Sequence, residues 1–188
     1  MQTMQLRGAR VAILVTNGFE QVEMTDPRKA LEIAGAETTL AAPQPGEVQA
    51  MKHDERSERF PVERTIETLD ANDFDAVVLP GGALNADKLR MDQAAREFVR
   101  AMDQQGKPVA AICHAPWLLV SAGVVNGRTL TSYYTLQDDI RCAGGTWKDE
   151  EVVRDRNWIT SRQPKDIPAF NRAVIEAIAS AVPAKARR

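Results

Sequence analysis

The sequence predicts an α/β fold, a mostly parallel sheet covered by helices on both faces. Two observations predict it. Short apolar runs rich in β-branched residues alternate along the chain with longer stretches of helical period. The 188 residues suffice for one domain with a sizeable core and leave no room for a second of similar size. That domain is expected to span 1–188, with 1–8 and 182–188 as frayed tails.

Residues 11–16 are the first expected buried strand, followed by 38–42, 76–79 and 109–112. Leu89, Ala95, Phe98, Val99 and Met102 recur on one face of a helix that Gly106 should stop. Phe170, Val174 and Ile178 mark a closing helix, with Asp166 ahead of Pro168 as its N-cap. Two stretches break the rhythm. Residues 44–64, charged and carrying Pro45, Gly46 and Pro61, are expected as a hairpin or arm at the sheet edge. Residues 147–161 are expected as two short strands joined by a turn at 155–157.

Composition narrows the function classes. With 24 basic against 26 acidic side chains and a formal charge of −2, no basic cluster exists to neutralise phosphates, so nucleic acid is not an expected partner. The apolar run at 11–15 is shorter than a secretory h-region and nothing approaches a membrane span, which predicts a cytoplasmic protein with no membrane partner. The two cysteines, Cys113 and Cys142, sit in no CxxC pair or metal knuckle, so neither a disulfide, a metal nor a cofactor is expected, and Cys142 is read as structural at a helix end.

The sharpest chemical motif is VAAICHAPWLLV, residues 109–120. A β-rich run stops at Cys113 and a helical pattern starts at once, with Pro116 in its first turn and the small Ala111 and Ala115 two positions either side of the cysteine. Small residues there are what a nucleophile elbow requires. Such a turn lifts the sulfur to the sheet rim and points main-chain amides of the new helix at it, which favours a thiolate; the alternative is a buried cysteine that merely ends a strand. Asn17 to Glu20 and the Pro80-Gly81-Gly82 turn also leave expected strand ends, and in a parallel sheet those ends share the ligand crevice. One amide from the glycine turn and one from His114 would make an oxyanion hole.

Glu20 and Glu23, spaced i, i+3 at a helix start, can look to the same side. Glu23 is the preferred carboxyl to lie against Cys113, protonated because two like charges would otherwise meet; Glu20 is expected to pair with an arginine. No histidine follows His114, and neighbours on a helical turn diverge by about 100°, so His114 should not face the sulfur unless local backbone geometry intervenes. His53, in the charged arm, is expected on the surface.

Together GFEQVEM, LPGG, GKPVAAICHAP, SAGVVNGR, TSYYTLQDD and TSRQPKD resemble the ThiJ/PfpI family of the class I glutamine amidotransferase-like superfamily, from about residue 10 to 179. The resemblance implies a flavodoxin-like, doubly wound sandwich, Cys113 as nucleophile, a protonated Glu23 touching it, an oxyanion hole of Gly82 and His114, and a homodimer or larger oligomer. It matches Asp87 to the acidic residue that orients the histidine of a neighbouring subunit, although the loop 83–89 is one residue longer here and Asp replaces the longer Glu. Tyr133 falls on the tyrosine of the family's TSY motif, as a pocket wall or an ordinary half-buried aromatic; Gly81, Glu20 and Trp117 are the remaining candidates for substrate contact, with core packing the preferred reading for Trp117. The leading functional expectation is a stress-protection enzyme in which Cys113 adds to a reactive dicarbonyl or an early glycation adduct. The alternatives are a cysteine peptidase using Cys113, His114 and Asp87 of a neighbour, and a redox sensor or chaperone acting through oxidation of Cys113. Expected substrates are small aldehydes, glycated proteins or peptides.

Overall fold

A computed structural model of the chain describes residues 5–182. The chain opens with β1 (Arg10–Leu14), a short β2 (Phe19–Glu20) and α1 (Gln21–Ile33). It continues through β3 (Glu37–Ala42), β4 (Glu47–Lys52), β5 (Glu55–Pro61), β6 (Arg64–Thr65) and β7 (Ala76–Leu79) to α2 (Ala83–Leu89) and α3 (Gln93–Gln104). After β8 (Val109–Ile112) come α4 (Pro116–Ser121), β9 (Thr129–Leu130), α5 (Gln137–Cys142), β10 (Thr146–Trp147), β11 (Val152–Asp155), β12 (Trp158–Ser161) and α6 (Ile167–Ala181).

Seven strands form the main sheet in the order β11-β12-β8-β7-β1-β3-β6, parallel throughout except for the edge strand β11. Because successive side chains point to opposite faces and both faces are covered, the central strands are apolar at nearly every position. Val11, Ile13, Val78, Ala110 and Ile112 pack against Met24 and Leu31 of α1 and Phe170, Val174 and Ile178 of α6. Ala12, Leu14, Val77, Leu79 and Ala111 face Phe98, Val99 and Met102 of α3 and Leu118 and Leu119 of α4. Among the described residues no helix is long and apolar enough to cross a membrane.

Four sequence expectations are corrected. The apolar spacing from Leu89 to Met102 spans two helices, because the Asp92 carboxylate accepts the Ala95 N–H at 2.8 Å and starts α3 afresh. Removing that cap in Asp92→Ala should cost about 1 kcal/mol, read as a lower urea midpoint with an unchanged slope. Asp166 does precede α6, but its carboxylate is held by Arg162 at 2.8 Å instead of capping the helix. The 44–64 arm is the β4–β5 hairpin, yet β6 occupies the main-sheet edge and the hairpin joins β2 in a second, three-stranded sheet. At the start of the chain, Leu6 is buried and its N–H donates to Ala34 O, so 5–8 are no frayed tail; Val182 is likewise buried at the other end. The rest of the expected tails, 1–4 and 183–188, lies outside the described residues.

The hairpin matters for the site. Gly18 N–H donates to Gln49 O and β2 pairs in parallel with Ala50 and Met51, so the β4–β5 turn hangs over the carboxyl ends of the main-sheet strands.

Candidate active site

β8 ends at Ile112, and Cys113 takes a positive φ of 63° before the chain enters α4 at Pro116. A side-chain-bearing residue there costs about 1–2 kcal/mol, and three main-chain bonds hold it in place. Cys113 N–H donates to Ser161 O, Tyr133 N–H donates to Cys113 O at 2.8 Å, and Ala115 N–H closes on Ile112 O. Ala111 and Ala115 are both buried beside this turn, where larger side chains would collide. The amides reaching the sulfur are those of His114 and Gly82. Helix α4 itself adds none at its first position, since Pro116 has no N–H.

Gly81 and Gly82 follow β7 and bring main chain against the sulfur. Gly82 has φ 89°, and a Cβ there would stand 2.5 Å from Gly18 O and 2.7 Å from Glu20 N, a gap only glycine fits. The Gly81 N–H donates to Glu23 Oε2 at 2.9 Å. Glu23 is fully buried, its Oε1 has no hydrogen-bond partner, and its carboxyl interacts with Cys113. Burial pushes the Glu23 pKa up to about 8, against the pull of the Gly81 N–H and Cys113 and with a further push from Glu20, so the carboxyl carries its proton at neutral pH.

Burial also raises the Cys113 thiol, and an ionised Glu23 would raise it further, while the Gly82 and His114 amides pull it down. Burial and the two amides thus oppose one another at the sulfur, and nucleophilic attack needs a proton acceptor beside it.

That acceptor is adjacent. His114 Nδ1 lies 3.1 Å from Cys113 Sγ. The 100° divergence that should separate the two side chains holds within a helix, and the left-handed backbone at Cys113 breaks it. Burial lowers the His114 pKa, so the ring is neutral and free to accept a proton. Tyr133 stacks on one face of the ring with centroids 4.7 Å apart, and Trp117 meets it edge-on at 5.5 Å.

These groups floor a cavity of about 520 Å³ at the carboxyl ends of the parallel strands. Glu20, Tyr133 and Gly82 line it as expected, with Met51, His53 and Asp54 from the hairpin turn, Leu84 from α2, and Gln163 and Pro164 after β12. Among the described residues no three His, Cys, Asp or Glu side chains gather as metal ligands do. Residues 9–177 match the family model described as the DJ-1/PfpI family. The chain belongs to the DJ-1/PfpI family. It is 40% identical over 167 residues to Deglycase PfpI of Pyrococcus furiosus, covering 89% of this chain and 98% of that one. It is also 40% identical over 167 residues to Protein/nucleic acid deglycase 2 of Escherichia coli, covering 88% and 95%. The crystal structure of Drosophila melanogaster DJ-1beta superposes with a TM-score of 0.82 at 28% identity, over 91% of this chain and 90% of that one.

In this DJ-1/PfpI chain the remaining candidates fall in three places. Asp87 is exposed on α2 and does not line the cavity. Trp117 lies behind His114, under the Arg90 guanidinium, and is no cavity wall, which corrects its assignment to substrate contact. Among the described residues Glu20 pairs with no arginine; its Oε2 accepts the His53 N–H at 2.9 Å instead. His53 is exposed, as expected, but its turn closes one side of the cavity. Cys142 ends α5 exposed, so it is not a packing residue. Sequence reasoning missed Met51, Asp54 and Leu84; Gln163 and Pro164 stood inside the TSRQPKD motif and offered the one available signal.

Proposed function

We propose that the chain is a cysteine-dependent stress-protection enzyme that converts reactive dicarbonyls or their early adducts on amines into hydroxy acids. The observation that carries this reading is the 3.1 Å approach of Sγ to a neutral imidazole beside a buried carboxylic acid. The deglycase names of relatives at 40% identity support it.

As the sulfur bonds to the aldehyde carbon, the thiol proton passes to His114 Nδ1 and the carbonyl electron pair moves onto oxygen, beside the amides of Gly82 and His114. The resulting hemithioacetal carries hydrogen on its former aldehyde carbon. Glu23 gives its proton to the ketone oxygen and, as carboxylate, takes the proton from the former aldehyde carbon; the enediol so formed receives that proton on the neighbouring carbon and returns its own hydroxyl proton to Glu23, which leaves a thioester of the hydroxy acid. Water cleaves the thioester, restoring the thiol and releasing lactate when the dicarbonyl is methylglyoxal; an amine adduct also frees its amine.

The test is methylglyoxal consumption with lactate as measured product. Cys113→Ser should reduce turnover by a factor of about 10³ or more, whereas Cys142→Ser should keep it; turnover that survives Cys113→Ser overturns the reading. Peptide hydrolysis is supported by the name of one relative, Putative cysteine protease YraA of Bacillus subtilis, 40% identical over 163 residues, and would require Asp87, exposed on α2, to act on a neighbouring subunit. Cleavage of a fluorogenic peptide that Asp87→Ala abolishes, with no lactate formed, would favour that second reading.

A further inference from the structure

The reaction groups leave one cavity feature unused. Glu20 is only 8% exposed, yet it is an ionisable side chain on the cavity wall. Its Oε2 accepts the His53 N–H at 2.9 Å, and among the described residues no lysine or arginine forms an ion pair with the carboxylate, which lines the cavity. Nothing balances that carboxylate. The described lining holds no lysine or arginine; its other ionisable groups are Glu23, Cys113, His53, His114, Tyr133 and Asp54, the last exposed. The nearest arginine in the sequence after β12, Arg162, is engaged by Asp149 and Asp166.

We infer that Glu20 is a specificity-determining residue: its carboxylate, which no cation pairs among the described residues, admits carbonyl compounds bearing a cationic amine or guanidine and rejects those bearing a carboxylate. A charge held in a poorly solvated cavity acts on an incoming ion much more strongly than it would in water. The preference deepens the proposed reaction and rests on it for turnover, but the charge selection itself is a property of access to Cys113.

Both layers can be measured. In a Cys142→Ser background, Cys113 is treated with 2-aminoethyl and 2-sulfonatoethyl methanethiosulfonate; each forms a disulfide with the cysteine sulfur and releases methanesulfinate. The rate ratio of the two reagents at one thiol cancels that thiol's own ionisation. Relative to the same ratio at 2-mercaptoethanol, Cys113 should favour the ammonium reagent by about tenfold or more. Glu20→Gln keeps an acceptor for the His53 N–H and should bring the ratio to within about threefold of the free thiol's. Asp54→Asn, exposed and screened, should change it less. A ratio equal to that of 2-mercaptoethanol, one that survives Glu20→Gln, or one that Asp54→Asn alone removes would overturn the inference. In turnover, the methylglyoxal adduct of N-acetylargininamide, a cation without a carboxylate, should outpace the anionic ketoaldehyde 4,5-dioxopentanoate in the parent, and the gap should narrow in Glu20→Gln. Charge-selective labelling with no carbonyl turned over would leave the role of Glu20 standing and refute the proposed reaction.

Discussion

Glu23→Gln is expected to cut carbonyl turnover by about 10² to 10³-fold while leaving the alkylation rate of Cys113 near pH 7 within about threefold of the parent's. Two roles of one side chain separate in this variant. At neutral pH the buried carboxyl is a neutral acid with a pKa near 8, one oxygen accepting the Gly81 N–H at 2.9 Å and its proton available to the sulfur. Glutamine has the same shape, accepts from Gly81 and donates an N–H to the sulfur, so the thiol keeps its surroundings. What glutamine lacks is a proton that can be delivered and recovered. If alkylation collapses together with turnover, Glu23 only positions Cys113; if turnover survives, it is no proton shuttle.

The same variant should change how stability depends on pH. The folded-state pKa of Glu23, about 8, lies above the ordinary carboxyl value of 4.5 expected in the unfolded chain, so between those values the folded form holds a proton that the unfolded form has released. The stabilisation is complete below the unfolded value and drains away as pH rises through about 8, over a span of several kcal/mol. The raised thiol of Cys113 acts in the same direction at still higher pH. Urea midpoints of the parent should therefore fall between about pH 5 and about pH 9, and Glu23→Gln should flatten most of that fall. Parallel midpoint curves for the two proteins would rule out a protonated, buried Glu23.

What the sequence disclosed follows from which interactions are local. The limits of β8 and the position of Cys113 were legible because a strand buried on both faces is one unbroken apolar run, and because an elbow demands small neighbours such as Ala111 and Ala115. The place of the Glu23 carboxyl beside Cys113 was legible from its spacing at the helix start. The far wall of the cavity was not: two residues of β2 pairing with β4 leave no periodic pattern, yet that pairing delivers Met51, His53 and Asp54. The Sγ to Nδ1 contact was hidden because helical geometry does not apply at a φ of 63°. The depth of the sulfur was hidden for a related reason: a sequence shows which amides lie near a sulfur but not how deeply the sulfur is buried. In α3, by contrast, Asp92 offered a cap signature that the continuing apolar spacing masked.

Gly81→Ala is expected to destabilise the fold by about 3 kcal/mol, the upper end for overpacking, and to abolish turnover in the fraction that still folds. An added Cβ would stand 2.5 Å from Glu23 Oε2, 2.6 Å from Cys113 Cβ and 2.8 Å from Ile112 O, all closer than real side-chain contacts. None of the three atoms can withdraw cheaply. Ile112 O belongs to the strand that sets the elbow, Cys113 is fixed by main-chain bonds on both sides, and the Glu23 carboxyl is fully buried with Gly81 N–H as its hydrogen-bond donor. Strain is thus driven into the sulfur, the acid and the strand end together. The melting temperature should drop by about 10 °C for a chain of this size. At a temperature where the variant is still folded, as shown by its near-UV circular dichroism, Cys113 should alkylate with a pH profile unlike the parent's, because the carboxyl has been displaced from the thiol. A variant as stable as the parent, with the parent's profile, would mean that Gly81 is not where the backbone of β7 sets the distance between nucleophile and acid.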